Sequence, residues 1–243
     1  MAARKDPACE ALVVERLRVQ LGGFAIDGLS FRVEPGSVTV LLGHNGAGKT
    51  TTLHLVMGMI RKDSGTARIG ALDHVCDERE FKQRIGYVPE ESHFYARMTA
   101  GEYLSFVAQF YPRWSSARCA DLAGVLHLPL GKRLGELSKG MRTKAALIAA
   151  LAHDPDVLLL DEPTSGLDPR SRAELLACLR AAAHGGRRAV LFSTHNLHEA
   201  DEIADRLILL ENGRVLADRR LAELRASAGG AWSLERFYLE RVR

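Results

Sequence analysis

The run Gly43-His44-Asn45-Gly46-Ala47-Gly48-Lys49-Thr50-Thr51 constrains this chain more than any other stretch. It fits the pattern GxxxxGK[ST] and follows residues 38–42, a short unbroken apolar run of the kind that forms a strand buried on both faces. Glycines at 43, 46 and 48 let the backbone curl, so that successive amides from Gly43 to Thr51, those of Asn45 and Ala47 among them, turn inward onto phosphate oxygens. The helix expected next adds the positive end of its dipole. Lys49 then supplies a point charge for the β- and γ-phosphates of a nucleotide, and the Thr50 hydroxyl is placed for Mg²⁺. Asp161, after a second apolar run at residues 157–160, is expected to converge on the same ion from an adjacent strand.

Strand–loop–helix order implies a mostly parallel sheet, and the rest of the chain is read around it. Residues 16–21 alternate, with Leu17, Val19 and Leu21 on one face, and Phe31 and Val33 begin a second alternating run. Pro35 and Gly36 make a turn. Residues 189–192 read as a further buried strand. Residues 207–210, then Asn212-Gly213, then Val215 and Leu216 read as a hairpin with a primed turn. Thr99 and Glu102 form a capping box for a helix whose apolar positions are Tyr103, Phe106, Val107 and Phe110, and which Pro112 stops. Amphipathic runs at 122–126 and 141–152 make the middle of the chain helical.

Composition bounds the class. Of 243 residues, 47% are apolar and 26% charged, so the chain has enough apolar material for a sizeable core. A net charge of +3 gives no nucleic-acid footprint. Cys9, Cys76, Cys119 and Cys178 stand far apart with no CxxC pair, which argues against a zinc site or a disulfide framework and for a reducing compartment. The N-terminal dozen residues carry basic groups with no apolar run behind them, unlike a secretory signal. No stretch approaches the roughly 18 uninterrupted apolar residues of a membrane-spanning helix. A role at a membrane therefore requires a partner.

Further motifs stand in a telling order. Leu137-Ser138-Lys139-Gly140-Met141 precedes the strand that ends in Leu160-Asp161-Glu162-Pro163-Thr164. Ser165-Gly166-Leu167-Asp168 comes next, and Ser193-Thr194-His195 follows. With the glycine-rich loop, this order resembles the ATP-binding subunits of ABC transporters over roughly residues 12 to 216. The resemblance implies an ATPase using ATP and Mg²⁺, with Glu162 orienting the attacking water and His195 sensing the γ-phosphate. It implies that Ser138, Gly140 and Asp168 complete the site of an opposing subunit, in a homodimer or heterodimer that sandwiches two nucleotides. It also implies transmembrane permease partners, a cytoplasmic location on the inner face of the membrane, and no direct contact with nucleic acid. His195 and His198 form an HxxH pair, but no third zinc ligand stands at a sensible spacing.

The chain departs from the family pattern at specific places. Glu90 stands where glutamine is usual in the loop that touches Mg²⁺, so the expected metal set is Thr50, Asp161 and Glu90. Lys139 replaces a glycine and is expected near the partner's γ-phosphate or in solvent. Leu21 stands where an aromatic residue commonly stacks on adenine, with Phe24 the nearest substitute. These departures, with the tail motif Ser233-Leu234-Glu235-Arg236-Phe237, look like export-type subunits with separately encoded membrane chains; the tail equally reads as a helix packing its own Trp232 and Phe237. The expected fold is α/β: a P-loop NTPase core (1–91 and 154–216) with a mostly parallel sheet and an N-terminal antiparallel β portion, an inserted helical subdomain (92–153) and a tail (217–243), all one ATPase domain. The rival readings are a non-transport ABC ATPase acting on ribosomes or DNA, and an unrelated P-loop kinase or GTPase that would turn over as a monomer.

Overall fold

A computed structural model describes residues 12–92, 94–185, 188–227 and 232–242. The described residues begin with an antiparallel pair, β1 (Leu12–Leu21) and β2 (Phe24–Val33), and continue through β3 (Ser37–Leu42) into helix α1 (Lys49–Val56). Next come β4 (Ser64–Ile69), β5 (Leu72–Asp73), α2 (Glu78–Gln83) and β6 (Ile85–Val88). Three helices follow, α3 (Ala100–Ala108), α4 (Ser116–Val125) and α5 (Lys139–Ala152). The sheet then resumes with β7 (Val157–Asp161), α6 (Pro169–His184), β8 (Ala189–Thr194), α7 (Leu197–Ile203), β9 (Arg206–Glu211) and β10 (Arg214–Arg220). Two short helices end the described chain, α8 (Leu221–Ser227) and α9 (Leu234–Leu239).

Two sheets result. One is antiparallel, ordered β2-β1-β4-β5; the other is ordered β10-β9-β3-β8-β7-β6, parallel except for the edge strand β10. The parallel strands are apolar throughout because both faces are covered, and their period of two divides their side chains between two cores. Val157, Leu159 and Leu191 face one core with Leu17, Ile26, Leu53 and Phe81, beneath the antiparallel sheet. Leu158, Leu160, Val190 and Phe192 face the other with Leu104, Leu147, Ile148 and Leu179, beneath the helices.

Several expectations are corrected in detail. Phe31 and Val33 close β2 and do not begin a strand. Leu21 keeps step with Val19, pairing with Phe24 where Val19 pairs with Ile26, but at the strand end beside the Gly22 turn it is 39% exposed; the register shifts, with Arg16 at φ 48°, fall earlier, between Val14 and Val19. The Thr99–Glu102 capping box forms as expected, but α3 buries Leu104, whereas Phe106 and Phe110 are exposed and pack edge-to-face on each other at 5.2 Å. The 206–220 hairpin has the primed turn, with Asn212 and Gly213 at φ 46° and 73°.

In the tail, Leu234 and Phe237 bury into the helix-side core, Trp232 packs against it, and Ser233 caps α9 by accepting from the Arg236 amide. Cys76, Cys119 and Cys178 are free thiols, and Cys9 lies outside the described residues, as does most of the N-terminal stretch read for a signal. Among the described residues no helix is long and apolar enough to cross a membrane.

Strand β6 meets helix α5 at Gly86, where a β-carbon would fall inside contact distance of the Ala150 carbonyl and 3.0 Å from Leu158 Cδ1. Gly86→Ala is therefore expected to destabilise the fold by about 1–3 kcal/mol, read as a lowered midpoint in chemical denaturation with an unchanged slope.

Candidate active site

The loop between β3 and α1 is tied down from three sides. The Gly43 amide donates to the Thr194 carbonyl at the end of β8 (3.3 Å), Ala47 N–H donates to His44 O (3.1 Å), and the Ala47 carbonyl accepts from Gly213 in the hairpin turn (2.9 Å). A β-carbon at Gly43 would lie 2.5 Å from Leu210 O. One at Gly48, which has φ 106°, would strike the Phe24 ring at 2.8 Å and Ile26 at 2.9 Å. Within this curl the amides of Gly46, Gly48, Lys49, Thr50 and Thr51 make no hydrogen bond to any described residue. They line a cavity of ≈ 510 Å³ together with Asn45, Phe24, Glu90 and Glu162. Unpaired backbone donors at a helix start, beside a lysine, have the chemistry of a phosphate cradle. Phe24 borders this cavity and Leu21 does not, which leaves Phe24 as the ring available for a base.

Lys49 is buried, and its ammonium donates to the carbonyls of Gly43 (2.8 Å) and His44 (3.0 Å) while lying 3.1 Å from Glu162 Oε1. Glu162 Oε2 is 2.8 Å from His195 Nδ1, so one carboxylate joins Lys49 to His195. Its Oε1 is buried without a hydrogen bond of good geometry, leaving an acceptor to orient a donor such as water. Glu162 sits at φ 44°, an unusual backbone for a side-chain-bearing residue, and its amide is held by Ser193 Oγ at 2.9 Å. The same hydroxyl donates to Asp161 Oδ1 at 2.7 Å. The expectation of adjacent strands is thereby corrected: β8 lies between β3 and β7, and its Ser193 joins the Asp161 carboxylate to the Glu162 amide. His195 precedes Asn196, the N-cap of α7, so the HxxH pair does not ride on one helix.

The donor set suits a hard divalent cation. Asp161 ends β7, Thr50 opens α1, and Glu90 lies beyond the end of β6, the strand beside β7. Partial burial, then the neighbouring charges of Asp161 and Glu162, push the Glu90 carboxyl above its ordinary value, while Lys139 pulls it down. The same surroundings, burial first, raise the Tyr87 phenol, which meets His54 Nε2 at 3.2 Å.

A second group stands apart. Ser138 caps α5 by accepting from the Met141 amide (3.3 Å), leaving the amides of Lys139 and Gly140 without partners among the described residues. Asp168 caps α6 by accepting from Arg170 (3.1 Å) and Ser171 (3.0 Å), and the hydrogen bonds from Ser171 hold its carboxyl below the usual value. A β-carbon at Gly140 would lie 3.2 Å from Ser171 Oγ, so the two helix starts abut. None of Ser138, Gly140 and Asp168 lines the phosphate cavity of its own chain. Lys139 is exposed, lies against Gly166 and, with Glu90, borders a neighbouring cavity.

Ser193 escaped the sequence reading as a functional group; a hydroxyl at the end of a fully apolar strand was the available signal, since a buried hydroxyl demands partners. A raised acid is neutral in the fold over a wider pH range, so the fold loses stability as pH climbs through that raised value, and removing the charge should recover it. Glu90→Gln is expected to melt higher than the parent at about pH 8 without Mg²⁺ and to match it at about pH 4, measured by scanning calorimetry.

The family profile described as ABC transporter matches residues 26–165, and a shorter match to an AAA domain described as putative AbiEii toxin, Type IV TA system, spans 133–201. The chain is 38% identical over 208 residues to the "Uncharacterized ABC transporter ATP-binding protein YxlF" of Bacillus subtilis (strain 168), covering 83% of this chain and 68% of that protein. It is 37% identical to the "Nod factor export ATP-binding protein I" of Burkholderia pseudomallei (strain 1710b), covering 79% and 65%. It is 36% identical to the "Daunorubicin/doxorubicin resistance ATP-binding protein DrrA" of Streptomyces peucetius, covering 88% and 66%. The chain thus spans about two thirds of the length of these relatives. A solved structure titled "Structure of ATP binding subunit of ABC transporter" superposes with TM-score 0.86 at 29% identity, over 96% of this chain and 99% of that one. By its phosphate loop, its fold and these matches, this chain belongs to the ATP-binding subunits of the ABC transporter family.

Proposed function

We propose that this chain hydrolyses Mg²⁺-ATP as one half of a two-chain sandwich and thereby drives export through separate transmembrane subunits. The observation that carries the reading is the division of the site. One end of the molecule has a phosphate cradle with its lysine, acid and histidine; elsewhere, the start of α5, which abuts that of α6, holds the free amides of Lys139 and Gly140, which serve no cavity of their own phosphate loop. A second chain, a copy or a relative, would supply that missing half. The export direction rests on the names of the Nod factor and daunorubicin/doxorubicin relatives.

In this reading the free amides of Gly46 and of Gly48 to Thr51, with the Lys49 ammonium, bind the phosphates, which requires Lys49 to leave the carbonyls of Gly43 and His44. Phe24 takes the base against its ring. Thr50, Asp161 and Glu90 would hold Mg²⁺, which would neutralise charge on the β- and γ-phosphates. Once Lys49 turns to phosphate, Glu162 is released to orient the attacking water and accept its proton. His195, held on the same carboxylate, steadies the γ-phosphate. The helices between 92 and 153 form the part that moves against the core, and the loop at Glu90 passes the change to a permease from the cytoplasmic side.

Glu162→Gln should lower ATP turnover by about 100-fold or more while the protein still binds nucleotide and accumulates as a dimer in ATP, seen by light scattering. Specific activity of the parent should rise with its own concentration or with added partner; a rate per chain that stays constant would point to a monomeric P-loop enzyme. Affinity purification from solubilised membranes should bring down membrane polypeptides, whereas recovery of ribosomes or DNA would establish the non-transport alternative.

A further inference from the structure

Glu199 is a carboxylate that the account above does not use, and it is buried, with 4% of its surface exposed. An acid buried to this degree is costly unless it is paired, and its partners here are specific. Oε2 accepts from Thr164 Oγ1 at 2.7 Å and from Thr194 Oγ1 at 2.9 Å, and Oε1 lies 3.2 Å from Arg172 Nε on α6.

Each partner adjoins the reacting groups. Thr194 precedes His195, its carbonyl holds the Gly43 amide, and its hydroxyl also accepts from Asn196 N at 3.0 Å. Thr164 follows Glu162 by two residues, and its carbonyl accepts from the Leu167 amide, in the segment that ends at Asp168. Arg172 donates its amide to the Asp168 carbonyl. One oxygen of one side chain therefore fixes the end of β8 to the segment after β7, from the side opposite Ser193.

We propose that Glu199 is the positioning residue that holds the His195–Glu162 pair in register, by anchoring Thr194 and Thr164 to a single buried carboxylate and tying both to α6 through Arg172. It touches neither nucleotide nor water; it sets the separation of the groups that do. The claim rests on the ATPase reading for its consequence in turnover, but not for its consequence in structure.

The test pairs kinetics with hydrogen exchange on the full chain. Glu199→Ala is expected to lower kcat by about 10- to 100-fold, the usual cost of losing a residue that orients a reacting group. The KM for ATP should change by less than about threefold, because the residue makes no contact with the cradle. Glu199→Gln, whose amide oxygen still accepts from the threonines, should recover most of kcat. Thr194→Val should add little to Glu199→Ala, since both remove one joint.

In nucleotide-free protein, exchange in Glu199→Ala should rise in peptides covering residues 161–168 and 193–199 and stay unchanged in the antiparallel sheet. Unchanged kcat and exchange in Glu199→Ala would overturn the proposal. So would a loss of kcat that Gln does not restore and that tracks a global rise in exchange, which marks plain loss of folding. If the parent hydrolyses no ATP and yet the local exchange effect appears, the ATPase reading fails and the positioning role stands.

Discussion

The C-terminal end of β8 is the joint on which the site depends. There Ser193 Oγ sits between the Glu162 amide and the Asp161 carboxylate, while the next residue's carbonyl holds the Gly43 amide. Parallel pairing makes this possible: Leu42 stands opposite Thr194 and Asp161 opposite Ser193, so three strands end level with one another. A slip of one residue in β8 would turn Ser193 to the other face and leave the Asp161 carboxylate without its donor and the Glu162 amide without its hydroxyl acceptor.

That joint explains why charged groups can be held under an apolar sheet. Lys49, Asp161, Glu162 and Glu199 are all buried, yet each meets a hydroxyl, a carbonyl or an opposite charge within hydrogen-bond or ion-pair distance. Without those partners, burying four charged groups would carry a large desolvation cost. In the Lys49–Glu162 pair the lysine is satisfied both by the carbonyls of its own loop and by the acid. Glu90 lies at the edge of this cluster, where partial burial and two neighbouring acids act on it and Lys139 offsets them. Two of the departures from the family pattern, an added acid and an added lysine, thus border the same cavity.

Much of this was legible from the residues. The phosphate loop, the buried strands at 38–42, 157–160 and 189–192, the Thr99 capping box and the Asn212-Gly213 turn rest on short-range rules, since each is decided by residues a few positions apart. The strands β4 to β6 were not read, because short, glycine-containing segments take their form from what they pack against; helix α6 was passed over although Asp168, Pro169 and the spacing of Leu175, Leu176 and Leu179 mark it locally. Phe106 and Phe110 misled for a related reason: helical spacing identifies a face but not what lies opposite it, and α3 turns Leu104 inward instead.

The sequence by itself determined the chemistry on offer: a glycine curl with a lysine, two consecutive acids after an apolar strand, a histidine after another, and a serine and an aspartate able to cap helices. Those are properties of residue type and spacing along the chain. Only the tertiary structure decided that β8 would lie between β3 and β7, that one hydroxyl would join the Asp161 carboxylate to the Glu162 amide, and that Glu199 would gather a threonine from the end of β8 and another from the segment after β7. Strand order and side-chain pairing across a sheet join residues some thirty positions apart or more, and no local periodicity encodes such a distance.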